Sequence, residues 1–450
     1  MFTHSLHRRA AAFLLVSQAG FFVVACSGDD KTTSTSSSAG GGESSSSASG
    51  IGSGGAGGIG SGGAGGIGSG SGGGGGIGGA GGGGTGGAGG GGMAVSVPTG
   101  LLAAGWDHSC VVMSDFSKTR CWGANDKGQL GNGTMVNSLI PVDVAGLSQV
   151  IAFAGGWHHS CAISQDGSAK CWGGNDNGQL GDGSLADASS PKDVIGLDNA
   201  TAIEGGADHT CALRKDGSVR CWGNNDSGAL GDGTVIDKSA AVPVTGLLGA
   251  VNVTAGGSHS CAVLGDGSVR CWGYNLYGEV GDGTTTQKNT PVQVVGLMGT
   301  AVEVVAGIQH SCARLSDGSV ACWGRNDHGQ LGDATNVDSK TPVKVIGLNN
   351  ATKLVAGVRH NCALTSGKVR CWGENYNGQL GDGTTADKSA PVLVSILANI
   401  ESLAAGTHHT CAFSSTANDK KVYCWGNGSS GQLGDGMTMK QTSPVEVMGL

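Results

Sequence analysis

His159-Ser-Cys161-Ala-Ile-Ser-Gln-Asp-Gly167-Ser-Ala-Lys-Cys171-Trp172-Gly-Gly-Asn175-Asp-Asn-Gly178-Gln-Leu-Gly-Asp-Gly183 is one of seven close copies of the same stretch. The Trp of its Cys-Trp-Gly core falls at 122, 172, 222, 272, 323, 372 and 425, a period of about 50 residues. Self-similarity at this period marks a solenoid, a propeller or an array. Before the quoted stretch each unit has a short β-prone piece ending in Ala-Gly or Gly-Gly, as at Phe153-Ala154-Gly155. After it comes a closing piece, Pro-Val-x-Val-x-Gly-Leu in its full form. Gly, Asp and Asn turn signals separate about four short runs of period-two pattern, and no stretch of ten keeps a helical period.

The unit is therefore a four-stranded sheet. Seven such sheets protect their edges by radial closure, which gives an all-β, seven-bladed β-propeller. The repeats fall at about residues 98–147, 148–197, 198–247, 248–297, 298–348, 349–397 and 398–450 of a domain spanning 93–450. No clear Pro-Val-x-Val strand precedes the first unit. This predicts a ring in which a C-terminal strand completes a blade begun at the N terminus.

The cysteines test the hairpin. Fourteen of the 15 fall two per unit, and most pairs are ten residues apart. A three-residue loop Gln165-Asp166-Gly167, with glycine in the left-handed bulge position, sets Ser164 opposite Ser168 and Cys161 opposite Cys171. Directly opposed strand residues lie about 4.5–5.5 Å apart at Cα, within disulfide range. Unit six spaces its cysteines by nine and shortens the turn to Ser366-Gly367. Unit seven spaces them by 13 and places the extra residues (416–421) at the tip; in unit one the tip is Asp115-Phe116. The expected pairs are Cys110–Cys121, Cys161–Cys171, Cys211–Cys221, Cys261–Cys271, Cys312–Cys322, Cys362–Cys371 and Cys411–Cys424. Free core thiols and a zinc site are the competing readings. His-x-Cys offers a further ligand, but the two-ligand knuckles of zinc ribbons are missing.

Sevenfold recurrence also weighs on the other candidate chemistry. His108, His159, His209, His259, His310, His360 and His409 precede the first cysteine of each unit. A base and nucleophile are needed once, not seven times, so these histidines read as structural, bonding a neighbouring turn. The seven Trp residues read as core. Asp182, Asp232, Asp282, Asp333, Asp382 and Asp435, with Asn132 in unit one, read as turn caps rather than calcium ligands. No metal or cofactor is expected.

The informative positions are those that refuse to repeat. Before each histidine stand Trp106-Asp107, Trp157-His158, Ala207-Asp208, Gly257-Ser258, Ile308-Gln309, Val358-Arg359 and Thr407-His408. After each Trp-Gly stand Ala124, Gly174, Asn224, Tyr274, Arg325, Glu374 and Asn427. Each set occupies one place per blade and forms a ring, a mixture suited to recognition. The partner-binding candidates are Trp106, Asp107, Trp157, His158, Asp208, Gln309, Arg359, His408, Tyr274, Arg325 and Glu374. Neighbouring blades put the indoles of Trp106 and Trp157 side by side.

The N-terminal part differs in kind. Arg8 and Arg9 end a basic region, and Ala10 to Val24 form an apolar run too short to span a bilayer comfortably. Val23-Val24-Ala25-Cys26 resembles a bacterial lipobox, which implies a signal peptide over 1–25 and lipid on Cys26. Residues 26–92 are then a linker of Ser, Thr and Gly. Such a sequence buries too little apolar area to offset its backbone entropy, and its span as a coil is on the order of 45 Å. Export implies an oxidising compartment, which favours the disulfides. The expected location is the cell envelope, lipid-anchored at the outer membrane or cell surface. Net charge is −8, and no basic stripe or tail is present. This argues against a nucleic-acid partner.

The unit Ala-Gly-Gly-x-His-Ser-Cys-Ala-Leu-x-x-Asp-Gly-x-Val-x-Cys-Trp-Gly-x-Asn-x-x-Gly-Gln-Leu-Gly-Asp-Gly resembles the repeat of the regulator-of-chromosome-condensation family over about residues 95–450. The resemblance implies a seven-bladed β-propeller. The family's best-known member binds chromatin and exchanges nucleotide on a small nuclear GTPase. That activity does not carry over to an exported, acidic chain. A secreted bacterial relative inhibits β-lactamases through one propeller face, which implies face-on protein binding. Three loops depart from the pattern: Gly228-Ala229, Tyr277-Gly-Glu-Val280 and Asn427-Gly-Ser-Ser430. The reading is a monomeric, non-catalytic, membrane-anchored scaffold for a protein or glycan. The alternatives are a secreted-enzyme inhibitor and a sialidase-like propeller hydrolase. The hydrolase class carries a Ser-x-Asp-x-Gly-x-Thr-Trp box whose spacing Ser164-Gln-Asp-Gly does not keep.

Overall fold

The computed structural model describes residues 101–112, 118–416 and 419–450. Cys26, the linker and the Asp115-Phe116 tip lie outside the described residues. The described residues form 28 strands in seven four-stranded antiparallel sheets, each built from four strands consecutive in the chain. Blade one holds β1 (Leu101–Ala104), β2 (His108–Val112), β3 (Thr119–Gly123) and β4 (Ser138–Asp143). Blade two holds β5 (Val150–Gly155), β6 (His159–Ser164), β7 (Ala169–Gly173) and β8 (Ala188–Asp193). Strands β9 to β24, from Ala200 to Leu393, make blades three to six in the same order. Blade seven holds β25 (Ile400–Ala405), β26 (His409–Thr416), β27 (Asp419–Gly426) and β28 (Gln441–Glu446).

The first strand of every blade lines a central channel, with β1 between β5 and β25. The fourth strand is the outer edge. Seven of the eight prolines sit there, one per blade: Pro141, Pro191, Pro243, Pro291, Pro342, Pro391 and Pro444. Proline has no N–H to offer an incoming strand, so each exposed edge is blunted against pairing.

The hairpins follow the cysteine spacing. In blade two Ser164 N donates to Ser168 O at 2.9 Å, Gly167 N donates to Ser164 O at 2.9 Å, and Gly167 has φ +80°. In blade six Thr365 faces Lys368 across Ser366-Gly367, whose φ values are 49° and 76°. In blade seven the ladder runs on to Thr416 opposite Asp419. Each of the 14 cysteines faces its partner in register. The seven disulfides join them with Cα separations of 4.0–4.1 Å. Such short separations belong to non-hydrogen-bonded pairs, where side chains come closest.

The core lies between blades rather than within them. Trp222 of blade three packs on Cys161, Ile163 and Leu180 of blade two, and the same cluster recurs around the ring. All seven repeat tryptophans are 0% exposed. Each also fixes a glycine beneath it: a Cβ on Gly181, whose φ is +71°, would lie 2.7 Å from Trp222 Nε1.

Ring closure differs from the sequence expectation. Among the described residues no strand crosses the seam, because β1 pairs only within blade one and β28 only within blade seven. The seam is made by side chains, with Trp122 of blade one packed on Cys411, Phe413 and Leu433 of blade seven. Every blade already has its four strands, so none is left to be shared.

Candidate functional site

The repeated histidines form a buried belt. His159 Nε2 meets Thr210 Oγ1 of the next blade at 2.9 Å, and Thr210 Oγ1 donates to the carbonyl of Gln179 at 3.0 Å. That carbonyl also accepts from Trp222 Nε1 at 2.9 Å. The arrangement recurs at every junction. At the seam His409 Nε2 meets Ser109 Oγ at 2.8 Å, and Gln432 O accepts from both Ser109 and Trp122. Between blades five and six the hydroxyl becomes Asn361, whose Oδ1 can only accept, so His310 donates from Nε2. Burial holds the imidazoles neutral, pushing His159 down to about 3 and His209 to about 4. Each ring lies flat under a glycine: a Cβ on Gly156 would stand 2.0 Å from His159 Cε1. The neighbouring cysteines are tied in disulfides and the belt's hydroxyls donate to the carbonyls that the tryptophans also use, so the belt holds blade to blade.

The β3–β4 loops are organised by an asparagine that the sequence reading passed over. Asn175 is 0% exposed; its Nδ2 donates to Ser184 O and Ala186 O, and its Oδ1 accepts from Leu180 N. Asp182 caps the turn by accepting from Ser184 N and Oγ at 2.9 and 2.8 Å. In blade seven Gly428 stands in that place, and the main chain of Met439 fills the space of the missing side chain.

Above the belt, the residues that do not repeat form a rim around the narrow end of the channel. The rim is built on main-chain bonds from blade to blade, such as Trp106 N to Gly156 O at 3.2 Å and Ala207 N to Gly256 O at 3.1 Å. Trp106 and Trp157 stand side by side with ring centroids 4.2 Å apart, and His158 lies 5.1 Å from Trp106. Both indoles are half-buried.

The polar candidates divide into two sectors. Over blades five to seven they neutralise one another. Arg325 donates to Gln309 Oε1 and to Asp327 Oδ2, both at 2.6 Å, and covers the ring of Tyr277 rather than Tyr274. Glu374 lies 3.2 Å from His408 Nδ1 and 3.9 Å from Arg359. Over blades one to three Asp107 accepts from Gln432 Nε2 at 2.7 Å and Asp208 from Gln179 Nε2 at 3.4 Å. Burial raises both carboxyls above the usual range; His408 and then His158 pull Asp107 back, and His158 pulls back Asp208.

The wide end of the channel holds a cluster that the sequence reading missed. Glu303 bridges Lys353 Nζ at 3.0 Å and Arg314 Nε at 2.8 Å, beside a cavity of about 330 Å³. Glu204 opens to this cavity yet is walled by protein, which raises its carboxyl to about 7. Glu303 and Arg314 face each other across the first two strands of blade five, whereas Lys353 comes from blade six and Glu204 from blade three, and no spacing in the chain links those blades.

The regulator of chromosome condensation (RCC1) repeat matches residues 121–163, 166–213, 216–263, 266–314, 317–364, 366–413 and 419–450. The chain belongs to the RCC1 repeat family. The RCC1 unit is offset from the blade: the first match runs from β3 to β6, and the first six matches each carry one blade junction, while 419–450 lies within blade seven.

Among RCC1 relatives, protein pim1 of Schizosaccharomyces pombe is 38% identical over 77 residues, 14% of either chain. The human E3 ubiquitin-protein ligase HERC2 is 37% identical over 67 residues, 14% of this chain and 1% of HERC2. The matched stretch thus spans a small fraction of either relative. Human WBSCR16 superposes with a TM-score of 0.66 at 20% identity, over 74% of this chain and 94% of that one. Yeast RCC1 (Prp20) bound to Kap60 superposes with a TM-score of 0.65 at 20% identity, over 79% and 86%. At such identities the likeness speaks to the fold alone.

Proposed function

We propose that this RCC1 chain is a non-catalytic scaffold, tethered to the cell envelope through lipid on Cys26, that binds a protein through the rim carrying Trp106 and Trp157. The observation that carries the reading is the indole pair, held half-buried on a rim whose main chain is fixed from blade to blade. Half-buried aromatic anchors on a rigid frame are the usual centres of protein interfaces. Yeast RCC1 (Prp20), of the same fold, is known bound to Kap60, which supports protein binding as a use of such a propeller.

Two experiments test this. Cys26→Ser should abolish labelling by an alkyne-tagged fatty acid and release the chain from the membrane fraction. Trp106→Ala with Trp157→Ala should keep the melting temperature and lose crosslinking to the surface partner. Unchanged crosslinking in that double variant would remove the rim from consideration.

A further inference from the structure

The two sectors of the rim differ in whether their acids are already satisfied. Glu374 and Asp327 have His408, Arg359 and Arg325 as partners within the chain. Asp107 and Asp208 are in no such ion pair, although His408 and His158 lie near enough to act on Asp107, and His158 on Asp208. Each accepts one amide hydrogen bond to Oδ1, and among the described residues neither has a cationic group at ion-pair distance. Each is partly removed from water, so the missing counter-charge costs more than it would on open surface. Asp107 and Asp208 hold equivalent places on blades one and three, with Trp157 and His158 on blade two between them. Ala207, next to Asp208, adds no bulk where a third large residue would have stood. The result is an aromatic shelf with a carboxylate at either end. Indole faces and carboxylates attract the same kind of group, a cation.

We propose that this sector receives a lysine or arginine side chain of the partner protein, its charge lying between Asp107 and Asp208 against the Trp106–Trp157 pair. The proposal rests on the rim being the binding face, and it adds the chemistry of what binds there.

Tryptophan fluorescence reads this out directly. Seven of the nine tryptophans are fully buried, so the surface-sensitive part of the emission comes from Trp106 and Trp157. The full chain, in detergent, is titrated with a hexa-arginine peptide, a hexa-glutamate peptide and a neutral chitin tetrasaccharide. The expected result is a saturable emission change with hexa-arginine alone. Asp107→Asn with Asp208→Asn should weaken that binding by about tenfold or more, a factor that one well-placed charge contact supplies. Asparagine keeps the Oδ1 acceptor for Gln432 and Gln179, so the variant retains the local bonds, which an unchanged melting temperature verifies. Equal hexa-arginine binding by wild type and the Asn variant overturns the proposal. So does saturation by the tetrasaccharide or by hexa-glutamate in place of hexa-arginine.

Partner crosslinking on cells separates the two readings. If the Asn variant crosslinks as wild type while the Trp106→Ala, Trp157→Ala variant does not, the rim stands and the cation falls. If the Trp variant also crosslinks as wild type, both fall.

Discussion

His158 and His159 are adjacent in the chain and identical in type, yet they belong to different regions of the molecule. His159 is 0% exposed, neutral, and bonded to the next blade, and six equivalents do the same work around the ring. His158 stands on the rim beside Trp106, and only His408 shares its place and type. One residue along the strand separates the buried belt from the open face, because consecutive side chains at a strand end point in different directions. The repeat therefore stores stability in one register and leaves the other free to vary.

The comparison breaks first at the tryptophans. Trp172→Ala on the belt should cost about 3–5 kcal/mol in chemical denaturation, since it empties a packed junction and removes a bond to Gln129 O. Trp157→Ala on the rim should cost about 1 kcal/mol or less. Equal losses would mean that the rim is as structural as the belt. Replacing Cys161 and Cys171 together by alanine should cost roughly 2–3 kcal/mol by the loop-entropy argument and leave rim binding unchanged.

A subtler probe is Glu279, which takes the place of a glutamine. In blade two Gln179 Oε1 accepts from Asn177 N at 3.0 Å; in blade four Glu279 Oε2 accepts from Tyr277 N at 2.9 Å, and Oε1 is buried without a partner. Burial raises this carboxyl from 4.5 to about 7. Because the folded value is the higher one, its contribution is fully present below pH 4.5 and is lost as pH rises through 7. Glu279→Gln should therefore stabilise the protein at pH 8 by as much as about 3 kcal/mol and far less at pH 5. A pH-independent difference between the two proteins would refute that account. The smallest expected effect is that of Asp107→Asn with Asp208→Asn on stability, a gain within about 0.5 kcal/mol in denaturant melts at neutral pH, since asparagine keeps the Oδ1 acceptor and removes a partly buried charge.

Much of this architecture can be read from residues alone. The hairpin is legible because blades six and seven change the tip and keep the cysteines opposed. The belt's acceptor is not, because it is a main-chain carbonyl. Ala229 serves Trp272 and Ser260 as well as Gln129 serves Trp172 and Ser160, so the position shows no required side chain. This also explains why the Gly228-Ala229 departure leaves its junction intact. The rim positions are legible as the places where units differ. Their pairings are not: Glu374 meets His408 across a blade boundary 34 residues later, a relation set by the rotation between blades. The seam was misjudged for a related reason. A missing Pro-Val-x-Val run before the first unit looks like a missing strand, whereas the seam is closed by Trp122 and Ser109 through bonds to Gln432.

The position of β1 has a mechanical consequence. Any pull through the segment before Leu101 loads the innermost strand of blade one, which is paired to β2 over only four residues. Peeling it exposes nine residues before the load reaches Cys110, and there the covalent bond to Cys121 passes the force into β3. Each further blade repeats the arrangement, so the cross-links act as stops along the path of unravelling. A protein built this way yields a short strand under tension and then holds.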